Sequence, residues 1–163
     1  MTDVVLDENV FVRGLVSDCS SPEDQQTDRR AARVVGFLQK DHRWILSDEI
    51  VDAYRKHIKI QRCAKGPTRE QIIKSLNLVF VDSRRYHWIH DLPKVEGSYS
   101  AKDRHVVTAA AKVGNGCCLA TMDGRLSESL FRDNIPSRWH FRVVTLDEAE
   151  ALLEVVAVAE AAL

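Results

Sequence analysis

The chain has 163 residues, 45% of them hydrophobic and 29% charged, which suits one domain with a real core and is ordinary globular composition. A formal net charge of −1 excludes a uniformly basic surface, so any nucleic-acid contact has to come from local patches. No apolar run approaches the length of a membrane span, and the opening MTDVVLDENV has neither the basic region nor the cleavage site of a signal peptide, so no membrane partner and a cytoplasmic location are expected.

Residues 3–7, DVVLD, read as a buried strand that ends in a carboxylate and runs straight into Glu8 and Asn9. A short helix over 9–16 and a polar, Pro-containing loop over 17–26 follow. From Thr27 a helix is expected with Ala31, Val34, Val35 and Leu38 turned inward. Residues 44–46 form a second short strand, and Ser47 caps a third helix whose apolar positions Ile50, Val51, Tyr54 and Ile58 fit a period of 3.6. Thr68-x-x-Gln71 signals a fourth helix, 78–81 a strand, 84–90 a short helical turn and 91–99 a loop. Ser100 is a plausible N-cap for a helix carrying Val106, Val107, Ala110, Ala111 and Val113 on one stripe, with Asp103 in its first turn. Residues 117–121 are a short apolar strand, Asp123 stands just past its end, and a polar turn and short helix follow. A strand over 141–144 and a last helix opened by the capping box Thr145-x-x-Glu148 complete the chain. That helix has apolar residues on more than one face, which suits either packing within the domain or a self-association or partner-binding surface.

Alternation of strands and helices along the whole length predicts an α/β fold, a three-layer α/β/α sandwich with a central parallel sheet. There is no internal repeat or second domain; residues 1–146 form the domain and 147–163 its C-terminal helix. In such sheets ligands bind outside the carboxyl ends of the strands. Asp7 and Asp123 sit at such ends, and Asp103 joins them if its helix begins at the same edge. Three acids from distant parts of the chain then offer a hard divalent cation the oxygen ligands it needs. Each acid also has a plainer role: Asp103 at a helix start, Asp48 and Glu49 as complements to a helix dipole, Asp123 in an Asp-Gly turn. Asp7 is hardest to dismiss, because an acid directly after a buried strand needs a partner or a cation.

The segments DVVLDENVFV, SDEIVDAYRKHI and DRHVVTAAAKVGNGCCLATMDGRL, in this order and spacing, resemble the three motifs of PIN-domain proteins, metal-dependent ribonucleases often found as toxins in prokaryotic toxin–antitoxin pairs. The resemblance spans roughly residues 4–146. It implies an acidic site binding Mg²⁺ or Mn²⁺ through Asp7, Asp103 and Asp123, with Asn9 and Thr121 in support, hydrolysis of RNA phosphodiester bonds, and an antitoxin protein as partner. Two positions depart from the pattern. Glu8 stands where the family usually has Thr or a small residue, and Ala53 stands at the family's second acid. Asp52 is one residue away, turned about 100° round the helix, and Glu49 lies four residues earlier on the same face, so these two are secondary candidates for the missing ligand. The alternative to an enzyme is therefore a PIN-fold protein with a depleted acidic site, acting as an RNA-binding or protein-interaction module.

Residues 55–65 carry five Lys or Arg and no acid. Such a run usually marks a solvated face, and it also suits phosphate tracking by Arg55, Lys56, Lys59 and Arg62, together with Arg104 and Arg125 beside the acids. His87-x-x-His90 has metal-like spacing but no third ligand nearby. The four cysteines form no C-x-x-C pair, which favours reduced core thiols over a zinc site or a disulfide framework.

Overall fold

The computed structural model describes residues 1–15, 22–60 and 86–161. In chain order these form β1 (Asp3–Leu6), α1 (Glu8–Leu15), α2 (Gln25–Asp41), β2 (Arg43–Leu46), α3 (Asp48–Ile60), β3 (Tyr86–Trp88), a 3-10 turn (Ala101–Asp103), α4 (Arg104–Val113), β4 (Cys118–Ala120), α5 (Gly124–Arg132), α6 (Ile135–Trp139), β5 (Arg142–Val144) and α7 (Leu146–Ala161). The expected helix after Thr68 and the expected strand over 78–81 lie outside the described residues. So do Cys19 and Cys63, while Cys117 and Cys118 are free and buried.

The five strands make one all-parallel sheet in the order β3-β2-β1-β4-β5, the α/β/α architecture expected from the alternation of elements. Val4, Val5 and Leu6 are fully buried in the centre. A parallel strand covered by helices on both faces has no wet side, which is why this segment is continuously apolar. α2 packs against α7, while α4 lies on β1 and β4 between α3 and α6. The inward positions expected for α2 and α3 are the buried ones.

Of the helical turn expected over 84–90, the described residues 86–90 are not helical. Tyr86 to Trp88 pair in parallel with Trp44 to Leu46 as an edge strand, and the Tyr86 ring packs 5.6 Å from that of Trp44. Seven residues are too few to separate a period of 2 from one of 3.6, and the unsatisfied backbone edge of β2 decides the matter.

Three local devices hold the layers in register, two at the end of β1 and one at its start. Phe11 stacks on Tyr54 at 4.2 Å and meets Trp44 edge-on at 5.1 Å. The Tyr54 hydroxyl donates 2.5 Å to the carbonyl of Leu6, which ties α3 to the last residue of the strand. His42, fully buried, accepts from the backbone N–H of Thr2 at Nδ1 (3.3 Å), so its Nε2 carries the proton donated to the carbonyl of Leu153 at 3.1 Å. One neutral imidazole thus joins the start of the chain to α7. Thr145 and Glu148 form the expected capping box at the head of that helix, and Leu153 is buried beneath it. Among the described residues no helix is long and apolar enough to cross a membrane.

Candidate functional site

In this strand order the chain steps from β1 to β2 and β3 on one side and to β4 and β5 on the other. The crevice between the carboxyl ends of β1 and β4 is therefore the switch point where ligands of such folds bind. Asp7 occupies it. Its N–H donates to the carbonyl of Ala120 at 3.0 Å, extending the β1–β4 ladder by one residue, and its own carbonyl accepts from Val10 and Phe11 at 3.0 and 3.2 Å, launching α1. The backbone is thus fixed on both sides.

Thr121, one residue past β4, donates from Oγ1 to Asp7 Oδ2 at 2.6 Å and accepts at the same oxygen from the N–H of Asp123 at 3.0 Å. The spacing Thr-x-Asp is what allows one hydroxyl to serve both. Asp7 is only 1% exposed, and its Oδ1 is buried with no hydrogen-bond partner. Burial pushes this carboxyl well above the usual range, and Glu8 and then Asp103 push it further, against the opposing bond from Thr121.

Asp103 closes the 3-10 turn capped by Ser100, directly before α4, and is 5% exposed. Burial raises it too, Lys102 opposes, and the charges of Asp123 and Glu8 add to the rise. Asp103 thus acts on Asp7, and Asp123 acts on Asp103, linking residues at the ends of β1 and β4 and the head of α4. Asp123 also has the plainer role of capping α5: Oδ1 accepts from the N–H groups of Arg125 (2.9 Å) and Leu126 (3.3 Å), while Oδ2 stands 3.8 Å from Lys102 Nζ.

One pair was not foreseen. Glu8, in the first turn of α1, receives a 2.9 Å hydrogen bond at Oε2 from His105 Nε2, on the first turn of α4. Burial would raise Glu8, but the bonds from His105 and Asp7 and the charge of His105 outweigh it and hold the carboxyl at about 2. The available signal was adjacency: Glu8 follows Asp7, and His105 lies two residues after Asp103.

The secondary candidates lie on the first two turns of α3. Glu49 and Asp52 are exposed on α3, and Asp52 lies 3.9 Å from Arg55. The acids that act on Asp7 and Asp103 are Glu8, Asp103 and Asp123. Ala53 is half-buried, next to the Tyr54 that touches Leu6. Arg55, Lys56, Arg104 and Arg125 are exposed; Arg62 and the side chain of Lys59 lie outside the described residues. His87 and His90 are exposed beside the edge strand.

A cleft of about 630 Å³ opens beside Asp123 and is lined further by Asn9, Arg13, Lys102, Arg125 and Glu128. No family model matches this chain, and no curated protein matches its sequence. The donor set is all oxygen and includes one orphaned buried carboxylate atom, which fits a hard cation. Among the described residues, no three His, Cys, Asp or Glu side chains already form a cage round one point. Mg²⁺ is commonly held by one or two carboxylates with water completing its shell, so the residues fit such an ion without a preformed cage.

Proposed function

We propose that the protein is a metal-dependent endoribonuclease that hydrolyses RNA phosphodiester bonds with Mg²⁺ or Mn²⁺, a PIN-like toxin acting in the cytoplasm and restrained by an antitoxin protein. The observation that carries the reading is Asp7 Oδ1: a buried carboxylate oxygen at the switch point with no hydrogen-bond donor, near further acids, of which Asp123 lines a cleft that also holds Arg13, Lys102 and Arg125. A buried polar atom without a partner is costly, and a cation held beside Asp7 would remove that cost.

Asp7, Asp103 and Asp123 would hold the ion, with Asn9 and Thr121 in support. When bound, the ion supplies an activated water and neutralises the charge that grows on the phosphate. Thr121 keeps Asp7 aimed by holding Oδ2 and leaving Oδ1 for the ligand. Lys102 and Arg125, at the rim of the cleft, would take the flanking phosphates of the strand, and Arg55 and Lys56 extend that path along α3. The motif resemblance adds the antitoxin, and a homodimer through α7 is compatible with it.

The second reading is an RNA-binding or interaction module, favoured by Ala53 on α3 and by Lys102 standing 3.8 Å from Asp123 where a cation would otherwise sit. Cleavage of RNA by pure protein with Mg²⁺ or Mn²⁺, against EDTA and Asp7→Asn, separates the two. Activity lost in both controls supports the enzyme, and binding without cleavage supports the module.

A further inference from the structure

Glu8 departs from the acid pattern of the motifs, and the structure gives it an unexpected position. Its side chain leaves the head of α1 one residue after Asp7 and reaches the head of α4, where His105 holds it two residues from Asp103. It thereby spans the gap between the two most buried acids of the site. Because a carboxylate only accepts, the proton in the 2.9 Å contact belongs to His105 Nε2, and it engages Oε2 alone. Oδ1 of Asp7, in the preceding residue, is buried and accepts no hydrogen bond from a donor group.

We propose that Glu8 is an oxygen ligand of the divalent cation beside Asp7, and that His105 is the positioning residue that holds it there. The inference rests on the metal-dependent reading above. A bare ion-pair clamp between α1 and α4 would explain the Glu8–His105 bond, but it leaves the touching carboxyls of Asp7 and Glu8 to share a proton. A shared cation satisfies both carboxylates. The arrangement also follows a general rule of metal sites, in which ligating carboxylates are themselves hydrogen-bonded by a partner that orients them. Burial supports the assignment, since the Glu8 and His105 side chains are only 15% and 11% exposed and little water competes for their contact.

The test is calorimetric titration of the full chain with Mn²⁺, paired with melts in EDTA and in Mn²⁺, for the wild type, Asp7→Asn, Glu8→Gln, His105→Ala and His105→Gln. Glu8→Gln should weaken Mn²⁺ binding by at least about tenfold and shrink the metal-induced rise in melting temperature. His105→Ala should weaken it by about tenfold, the usual effect of removing an outer partner, and His105→Gln, which keeps an N–H donor, should recover most of that loss. If Asp7→Asn loses Mn²⁺ while Glu8→Gln and His105→Ala bind as the wild type does, Glu8 is only a clamp and the ribonuclease reading stands without it. If the wild type takes up no Mn²⁺, both fall together. Should Glu8→Gln not fold, His105→Ala carries the test, and unchanged affinity there overturns the proposal.

Discussion

Thr121 Oγ1 donates a 2.6 Å hydrogen bond to Asp7 Oδ2 across 114 positions of sequence, and this bond aims the central carboxylate of the candidate site. The two residues sit at the ends of adjacent parallel strands, Leu6 being paired with Ala120. Thr121→Val keeps the shape, removes the donor, and strips the Asp123 N–H of its acceptor. Each buried polar group left unmet costs about 1–3 kcal/mol, so a loss of roughly 2–4 kcal/mol is expected in urea unfolding. A loss below about 0.5 kcal/mol, the size of an ordinary surface substitution, would mean that water replaces the bond and that the pocket is wetter than its burial implies.

Asp7 also sets a pH dependence. Its carboxyl is raised well above the ordinary range by burial, then by Glu8 and Asp103, so the native state holds that proton more tightly than the unfolded chain does. Such a group contributes stability that is present at low pH and lost as pH rises through its folded value. Glu8 acts with the opposite sign: its contribution is present above its ordinary value and is lost as pH falls from 4.5 to about 2. In EDTA, stability should therefore decline as pH rises above about 4, the ordinary Asp value. Asp7→Asn should flatten that slope in a series of urea midpoints between about pH 4 and 8. Equal slopes in both proteins would remove Asp7 as the titrating group.

A bound cation should reverse the penalty of the acids. At an Mn²⁺ concentration about 100 times its Kd, mass action stabilises the native state by about 2.7 kcal/mol. For a chain of this size that is a rise of roughly 5–10 °C in melting temperature. The rise should be clearly smaller in Asp103→Asn, and an equal response in the two proteins would exclude Asp103 from the site.

RNA binding is tested at the rim of the cleft. Replacing Lys102 and Arg125 together with Ala should weaken binding to all RNA sequences alike, because phosphate contacts position the strand without reading it. The slope of log affinity against log salt should fall by about 0.7 for each phosphate of a single strand that the variant no longer neutralises. An unchanged slope, measured by fluorescence anisotropy on a labelled oligonucleotide, would assign both residues to solvation.

Gly14 tests how α1, and with it Glu8 and Asn9, is seated on α2. A Cβ there would stand 2.8 Å from Val35 Cγ2 and 2.9 Å from the carbonyl oxygen of Ala31. Gly14→Ala should thus cost about 1–3 kcal/mol through overpacking, despite alanine's better helix propensity. At Gly36, on α2, a Cβ meets nothing within 4 Å, and Gly36→Ala should stabilise by about 0.5–1 kcal/mol. Chemical denaturation of both variants measures the contrast, and a similar change in the two would contradict the close approach of α1 and α2.

The local pattern of the chain was enough to place the helices' buried faces, the apolar strands and the acids that end them. Ala31, Val34, Val35 and Leu38 on α2 recur at a period that only a helix can bury on one side, and Val4 to Leu6 form a run that only a doubly covered strand explains. The caps at Ser47, Ser100 and Thr145 were legible for the same reason, because a cap is an interaction between residues two or three apart. The structure alone decided what depends on pairing across the chain. The aromatic segment 86–88 became a strand because the edge of β2 was open, a fact absent from the segment's own residues. The contact of Glu8 with His105 spans 97 positions, and it exists because α1 and α4 both begin at the carboxyl edge of the sheet. That Asp7 keeps one oxygen without a partner is likewise a property of packing. Sequence can name a carboxylate after a strand, but what surrounds it is set by elements folded in from elsewhere.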